Sequence, residues 1–227
     1  MKHSFKILFG LQILLAIVSC QSARPLTSTV KSNDITDLQF FEPRSYISLI
    51  ESGNKAKYND SLSIEEKNLI TKVAHEFAPR IPITNNIFFQ DSITNLKLTK
   101  EIVALFDSVL KNKSASTVKL TPLIDSVMSL NEKRFGLITY STGFTRTKSN
   151  YTNQNLKGVG EGLLTLGMYY QVPIKGNLII HAMIVDAKEK NVAFYQRTFI
   201  QDKEPLDEKV VSDQIQKMFE GYFFREE

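Results

Sequence analysis

Cys20 is the only thiol in the 227-residue chain, and it stands at the end of a run suited to export. Lys2 and Lys6 make a basic front, residues 7–18 are almost wholly apolar, and Ile17-Val18-Ser19 lead into the cysteine. That layout reads as a secretory signal, too short to serve as a membrane-spanning helix. A lone thiol makes no disulfide within the chain. The other groups that could do chemistry are few. His75 lies in His75-Glu76-Phe77-Ala78-Pro79, which lacks the second histidine of a zinc-protease helix. His181 sits in an apolar run and reads as a hydrogen-bonded core histidine. Glu161, Asp186 and Glu189 are acids near the expected sheet, but Asp186 and Glu189 fit a solvated turn better than a general acid/base pair. Gly158, Gly160 and Gly162 invite a phosphate-loop reading, yet Leu163 stands where a dinucleotide fingerprint needs glycine, and no Gly-Lys-Ser/Thr follows. No catalytic residue, metal ligand or cofactor is therefore assigned.

The four residues Ile17-Val18-Ser19-Cys20 resemble the lipobox of bacterial lipoproteins. The resemblance implies cleavage after Ser19 and acylation of Cys20, which makes the membrane a partner. Each buried CH₂ contributes roughly 0.8 kcal/mol, so several acyl chains hold a protein on a bilayer almost permanently. The chain then divides into a signal over 1–19, a lipidated cysteine and flexible tether over 20–44, and one domain over 45–227. No Asp or Glu cluster follows Cys20, and residue 21 is Gln rather than Asp. Under the sorting rules of such lipoproteins, that implies the outer membrane, facing the periplasm.

Losing 1–19 removes two lysines and no acid, leaving 26 basic and 24 acidic residues. So even a balance gives no footing for nucleic-acid binding. With 42% hydrophobic and 23% charged residues the remainder is an ordinary globule, large enough for one sizeable core.

The elements follow in order. Pro25, Pro43 and many Ser and Thr mark the tether. Tyr46, Ile47, Leu49 and Ile50 form a short apolar patch, and 51–61 reads as a loop. Ser63 and Glu66 have the form of a capping box for a helix carrying Leu69, Ile70, Val73 and Ala74, which Pro79 stops. A second helix carries Ile102, Leu105, Phe106 and Val109. Thr121-Pro122 opens a third, with Ile124, Val127 and Met128. Strands are expected over 135–144, 178–185 and 192–200, the last two as a hairpin. Pro205 opens a closing helix with Val210, Val211, Ile215, Met218 and Phe219 along one stripe. The expected class is α+β: N-terminal helices, then a small, mostly antiparallel sheet of three or more strands covered by the C-terminal amphipathic helix.

The stretch least like scaffolding is the insertion over 145–177, too long for a hairpin loop. Its polar start gives way to Gly158, Gly160, Gly162, Leu163, Leu164, Leu166, Met168, Tyr169 and Tyr170. Such a segment could touch a membrane interface, act as a flap or dock another envelope protein. The plainer alternative is a helix or strand pair that fills the core.

Four Asp-Ser-aliphatic triplets resemble a short O-glycosylation pattern of Bacteroidota. The resemblance implies Ser61 and Ser92, both expected in loops, as acceptors. Thr165-Leu166-Gly167-Met168-Tyr169, the strand end at 182–186, Ala193-Phe194-Tyr195 and the end at 219–223 resemble a lipoprotein family of Bacteroidota with no known activity. The order of helix, strand, insertion, hairpin and closing helix is similar to the α/β domain of curli-secretion and penicillin-binding-protein-activator lipoproteins. Neither likeness implies an activity, and the leading expectation is a lipid-anchored, non-enzymatic binding or assembly factor. One alternative is a periplasmic hydrolase or cell-wall enzyme, in which Glu161, His181 or Asp186 converge on a cleft. Another is a membrane-inserting oligomer subunit with 158–172 exposed.

Overall fold

The computed structural model describes residues 25–224, apart from 90, 113, 167 and 169–171. Its strands are β1 (Leu26–Thr27), β2 (Leu38–Phe41), β3 (Arg44–Ile50), β4 (Lys57–Tyr58), β5 (Ile83–Ile87), β6 (Phe135–Arg146), β7 (Gly176–Asp186) and β8 (Asn191–Gln201). Its helices are α1 (Asp60–Glu76), α2 (Ser92–Lys111), α3 (Pro122–Leu130), α4 (Lys148–Leu164) and α5 (Glu208–Met218).

β6, β7 and β8 form the expected antiparallel spine, Phe135 opposite Asp186 and Asn177 opposite Gln201. On the far side of β6 two strands lie parallel to it: β2 against 135–137 and β3 against 140–146. They behave as one long strand broken at Glu42-Pro43, since proline brings no N–H to a ladder. β5 adds in parallel to β2, β4 antiparallel to β3, and β1 antiparallel to β8. The result is one eight-stranded mixed sheet.

Helices cover both of its faces. On one face α1 and α5 pack Ile70, Val73, Val211 and Ile215 onto Ile47, Leu137, Ile180 and Phe194. On the other, α2 and α3 pack Ile102, Phe106, Ile124 and Met128 onto Phe41, Ile138, Met183 and Val185. The class is thus mixed α/β, which corrects the expected α+β arrangement with its small antiparallel sheet. The physical reason lies in β2 and β3. Leu38-Gln39-Phe40-Phe41 is buried on both faces and so shows no period-two alternation.

The span 20–44, expected as a flexible tether, is in part folded. Within it Leu26–Thr27 and Leu38–Phe41 are strands of the sheet, with Leu38, Phe40 and Phe41 in the core. The signal, Cys20 and residues 21–24 lie outside the described residues. Helix α1 also begins earlier than expected: Asn59 caps it, its side chain accepting the Leu62 N–H at 3.0 Å. Ser63 instead ties helix to sheet, its hydroxyl accepting the Ile47 N–H at 2.9 Å.

Candidate functional site

Helix α4 fills the expected insertion, and its root is built from Arg146 at the end of β6. The Arg146 guanidinium donates to Ile174 O at 2.8 Å, Gly53 O at 3.0 Å, Asn150 Oδ1 at 2.8 Å and Asn54 Oδ1 at 2.8 Å. Asn150 is buried and also donates from Nδ2 to Gly53 O at 3.1 Å. Thr147 caps the helix, accepting the Asn150 N–H at 3.2 Å. Four neutral oxygens thus hold one cation, and burial draws its pKa below the ordinary arginine value.

Beyond that root α4 makes no extensive contact with any other element. Of its later residues only Gly158 is buried. It lines a cleft of about 510 Å³, with Arg146, Gln154, Lys157, Glu161 and Ile174 around it. The outward side carries Leu156, Val159, Leu163, Leu164, Leu166 and Met168, all exposed. Leu164 is 87% and Leu166 90% accessible. Leu166 ends the helix at φ +52°, the left-handed conformation that glycine usually supplies at this place. The insertion therefore does not fill the core. Gly160 and Gly162 lie along the same half of the helix, half-buried, while Tyr169 and Tyr170 lie outside the described residues.

The groups an enzyme would need stand apart. His181 is buried in the sheet beneath α2, its Nδ1 2.9 Å from the Tyr195 hydroxyl, with Phe106 and Tyr140 rings against it. Burial lowers its pKa to about 4 and lifts that of Tyr195 to about 12, so both stay neutral near neutral pH. Asp186 is five residues further along β7, on the other face. The turn it begins is expected to be solvated, but at this residue it is anchored instead: Asp186 is wholly buried. It accepts from Arg134 Nη2 at 2.7 Å and from the backbone N–H groups of Lys188 at 2.9 Å and Glu189 at 3.3 Å. Glu161 is on α4, loosely paired with Lys157 at 3.9 Å. These three do not meet in one cleft. Ser61 and Ser92 are exposed but sit in the first turns of α1 and α2 rather than in loops.

One group escaped the sequence reading. Glu66 is fully buried on the sheet-facing side of α1, and neither carboxyl oxygen has a hydrogen-bond partner. Burial raises its pKa to about 8, and the neighbouring Glu65 charge adds to that. Its spacing to Ile70 and Val73 is the signal that could have found it, because those residues define the buried stripe of α1. Gln214 on α5 is buried on the same face of the sheet, and its amide also has no partner.

Among the described residues no helix is long and apolar enough to cross a membrane. No protein-family model and no curated protein matches the chain. Among solved structures it is similar to the PelC dodecamer of Paraburkholderia phytofirmans in two crystal forms. A single-substitution variant in space group C2 shows 6% identity and a TM-score of 0.40, over 86% of this chain and 93% of that one. The second, in space group P6, shows 6% identity and a TM-score of 0.39, over 86% and 94%. At such scores the two chain paths superpose only loosely.

Proposed function

We propose that the chain is a lipid-anchored protein of the bacterial envelope, acylated on Cys20 and held on the outer membrane facing the periplasm. Its role in this reading is that of a non-enzymatic binding or assembly factor, and its contact surface is the outward side of α4 with the turn that follows. One observation carries the second half of the reading. A helix fixed firmly at its root holds a row of leucines into solvent instead of against its own sheet. An exposed apolar patch of that kind is what contact sites present. The first half rests on the basic start, the apolar run and Ile17-Val18-Ser19-Cys20.

Hydrogen exchange tests the contact role. Amides of 156–166 should exchange more slowly in the protein held in isolated envelopes than in the detergent-purified protein. Equal exchange in the two preparations would remove the contact role.

A further inference from the structure

The proposed surface has a defined occupant, and the sheet register points to it. Leu26 lies opposite Tyr195 and Thr27 opposite Phe194, antiparallel. Followed backwards from Leu26, the chain therefore heads along β8 towards Gln201. Gln201 lies beside Asn177, and Asn177 beside Phe144. That is the end of the sheet from which Arg146 leads into α4.

The lengths agree. Six residue steps separate Cys20 from Leu26, a reach of about 20 Å when fully extended. The six steps of β8 from Tyr195 to Gln201 cover about 20 Å as well. No other strand lies along that edge beyond Tyr195 among the described residues. A six-step leash leaving in this direction reaches far enough to set an acylated Cys20 at the α4 end of the molecule.

We infer that the outward side of α4 and its closing turn enter the headgroup layer of the same bilayer that takes the acyl chains, a second point of attachment beside the first. The inference rests on the acylation of Cys20 proposed above. α4 is about 25 Å long at 1.5 Å per residue, and its buried root holds it at the surface, so it lies in the interface rather than spanning it. Leu163, Leu164, Leu166 and Met168 supply the apolar contact. Lys157, also exposed, has the long stem that lets an ammonium reach the headgroups while its methylenes stay with the leucines. The opposite end of the sheet carries exposed Leu130 at the end of α3, with no such row around it among the described residues.

The chain contains no tryptophan, so single reporters can be read without background. Leu164→Trp and Leu130→Trp place one at each end, at positions 87% and 84% accessible where the substitution disturbs little. The full acylated protein is reconstituted into phosphatidylethanolamine–phosphatidylglycerol vesicles, with and without dibrominated acyl chains. The expected result is a blue-shifted emission for Leu164→Trp, with quenching by the brominated lipid at least threefold stronger than for Leu130→Trp. Equal, weak quenching in protein that floats with the vesicles overturns the inference and leaves the acyl anchor standing. A blue shift without quenching also overturns it, since the surface is then covered by protein. Protein that does not float at all shows the anchor itself to be wrong, and the inference goes with it.

Discussion

Arg146 donates a hydrogen bond to the side-chain oxygen of Asn150, one turn into α4, at 2.8 Å. The same guanidinium reaches the backbone oxygens of Gly53 and Ile174, so the 53–54 loop, the start of α4 and the return into β7 converge on one cation. The direction in which α4 leaves the sheet is set there. Removing the cation should free the helix without melting the core. Arg146→Met is expected to cost about 2 kcal/mol, the scale of hydrogen bonds to a charged group. Limited proteolysis should then cut within 148–164 well before global unfolding. Arg146→Lys should rescue little, because one ammonium cannot serve oxygens arranged around a planar fork.

The end of α4 sets stability against contact. Leu166 holds a left-handed backbone that costs an L-residue about 1–2 kcal/mol. Leu166→Gly should therefore protect α4 amides from exchange while weakening its attachment to vesicles. A loss of both would show that Leu166 is packed rather than presented. Gly160→Ala separates the two effects, since its added methyl meets nothing within 4 Å. It should stabilise α4 by about 1 kcal/mol and leave attachment unchanged.

Glu66 gives the fold a pH dependence of unusual sign. In the unfolded chain it ionises near its ordinary value of 4.5, while burial keeps it protonated in the fold up to about pH 8. Below pH 4.5 both states hold the proton and nothing is lost. As pH rises from there to 8 the unfolded state alone releases it, and the fold weakens by up to about 5 kcal/mol. Glu66→Gln removes this dependence. Denaturant unfolding of the two proteins at pH 4 and pH 8 should give a difference that opens in favour of the variant as pH rises. A constant difference would mean that Glu66 is partnered in solution.

Asp186 should prove structural. Asp186→Ala leaves Arg134 and two turn amides without their acceptor and is expected to cost about 3 kcal/mol. Thermal unfolding measures it directly.

The spine of the sheet could be read in advance because β6, β7 and β8 are long and rich in β-branched and aromatic residues, with a charged turn between the last two. α1, α2, α3 and α5 were legible from their apolar stripes and from Pro122, whereas α4 was not, because its polar first half carries no such stripe. β2 and β3 were not, since four buried residues and a proline among Ser and Thr look like linker until β6 lies beside them. Glu66 was hidden for a related reason: Ser63 and Glu66 have the spacing of a cap, and only the position of Asn59 shows that the helix starts before them. The exposure of Leu163, Leu164, Leu166 and Met168 could be suspected from composition, but whether those side chains face solvent or core depends on the four-oxygen clip around Arg146, whose partners at 53, 54 and 174 are far from it in sequence.

The central claim is attachment through Cys20, and intact mass spectrometry of the protein purified from membranes tests it most directly. The account predicts a mature chain that begins at residue 20 and carries acyl chains on that cysteine, with Cys20→Ala protein retaining its leader. A mature chain cut elsewhere, or one that begins at Cys20 without any lipid mass, would contradict it.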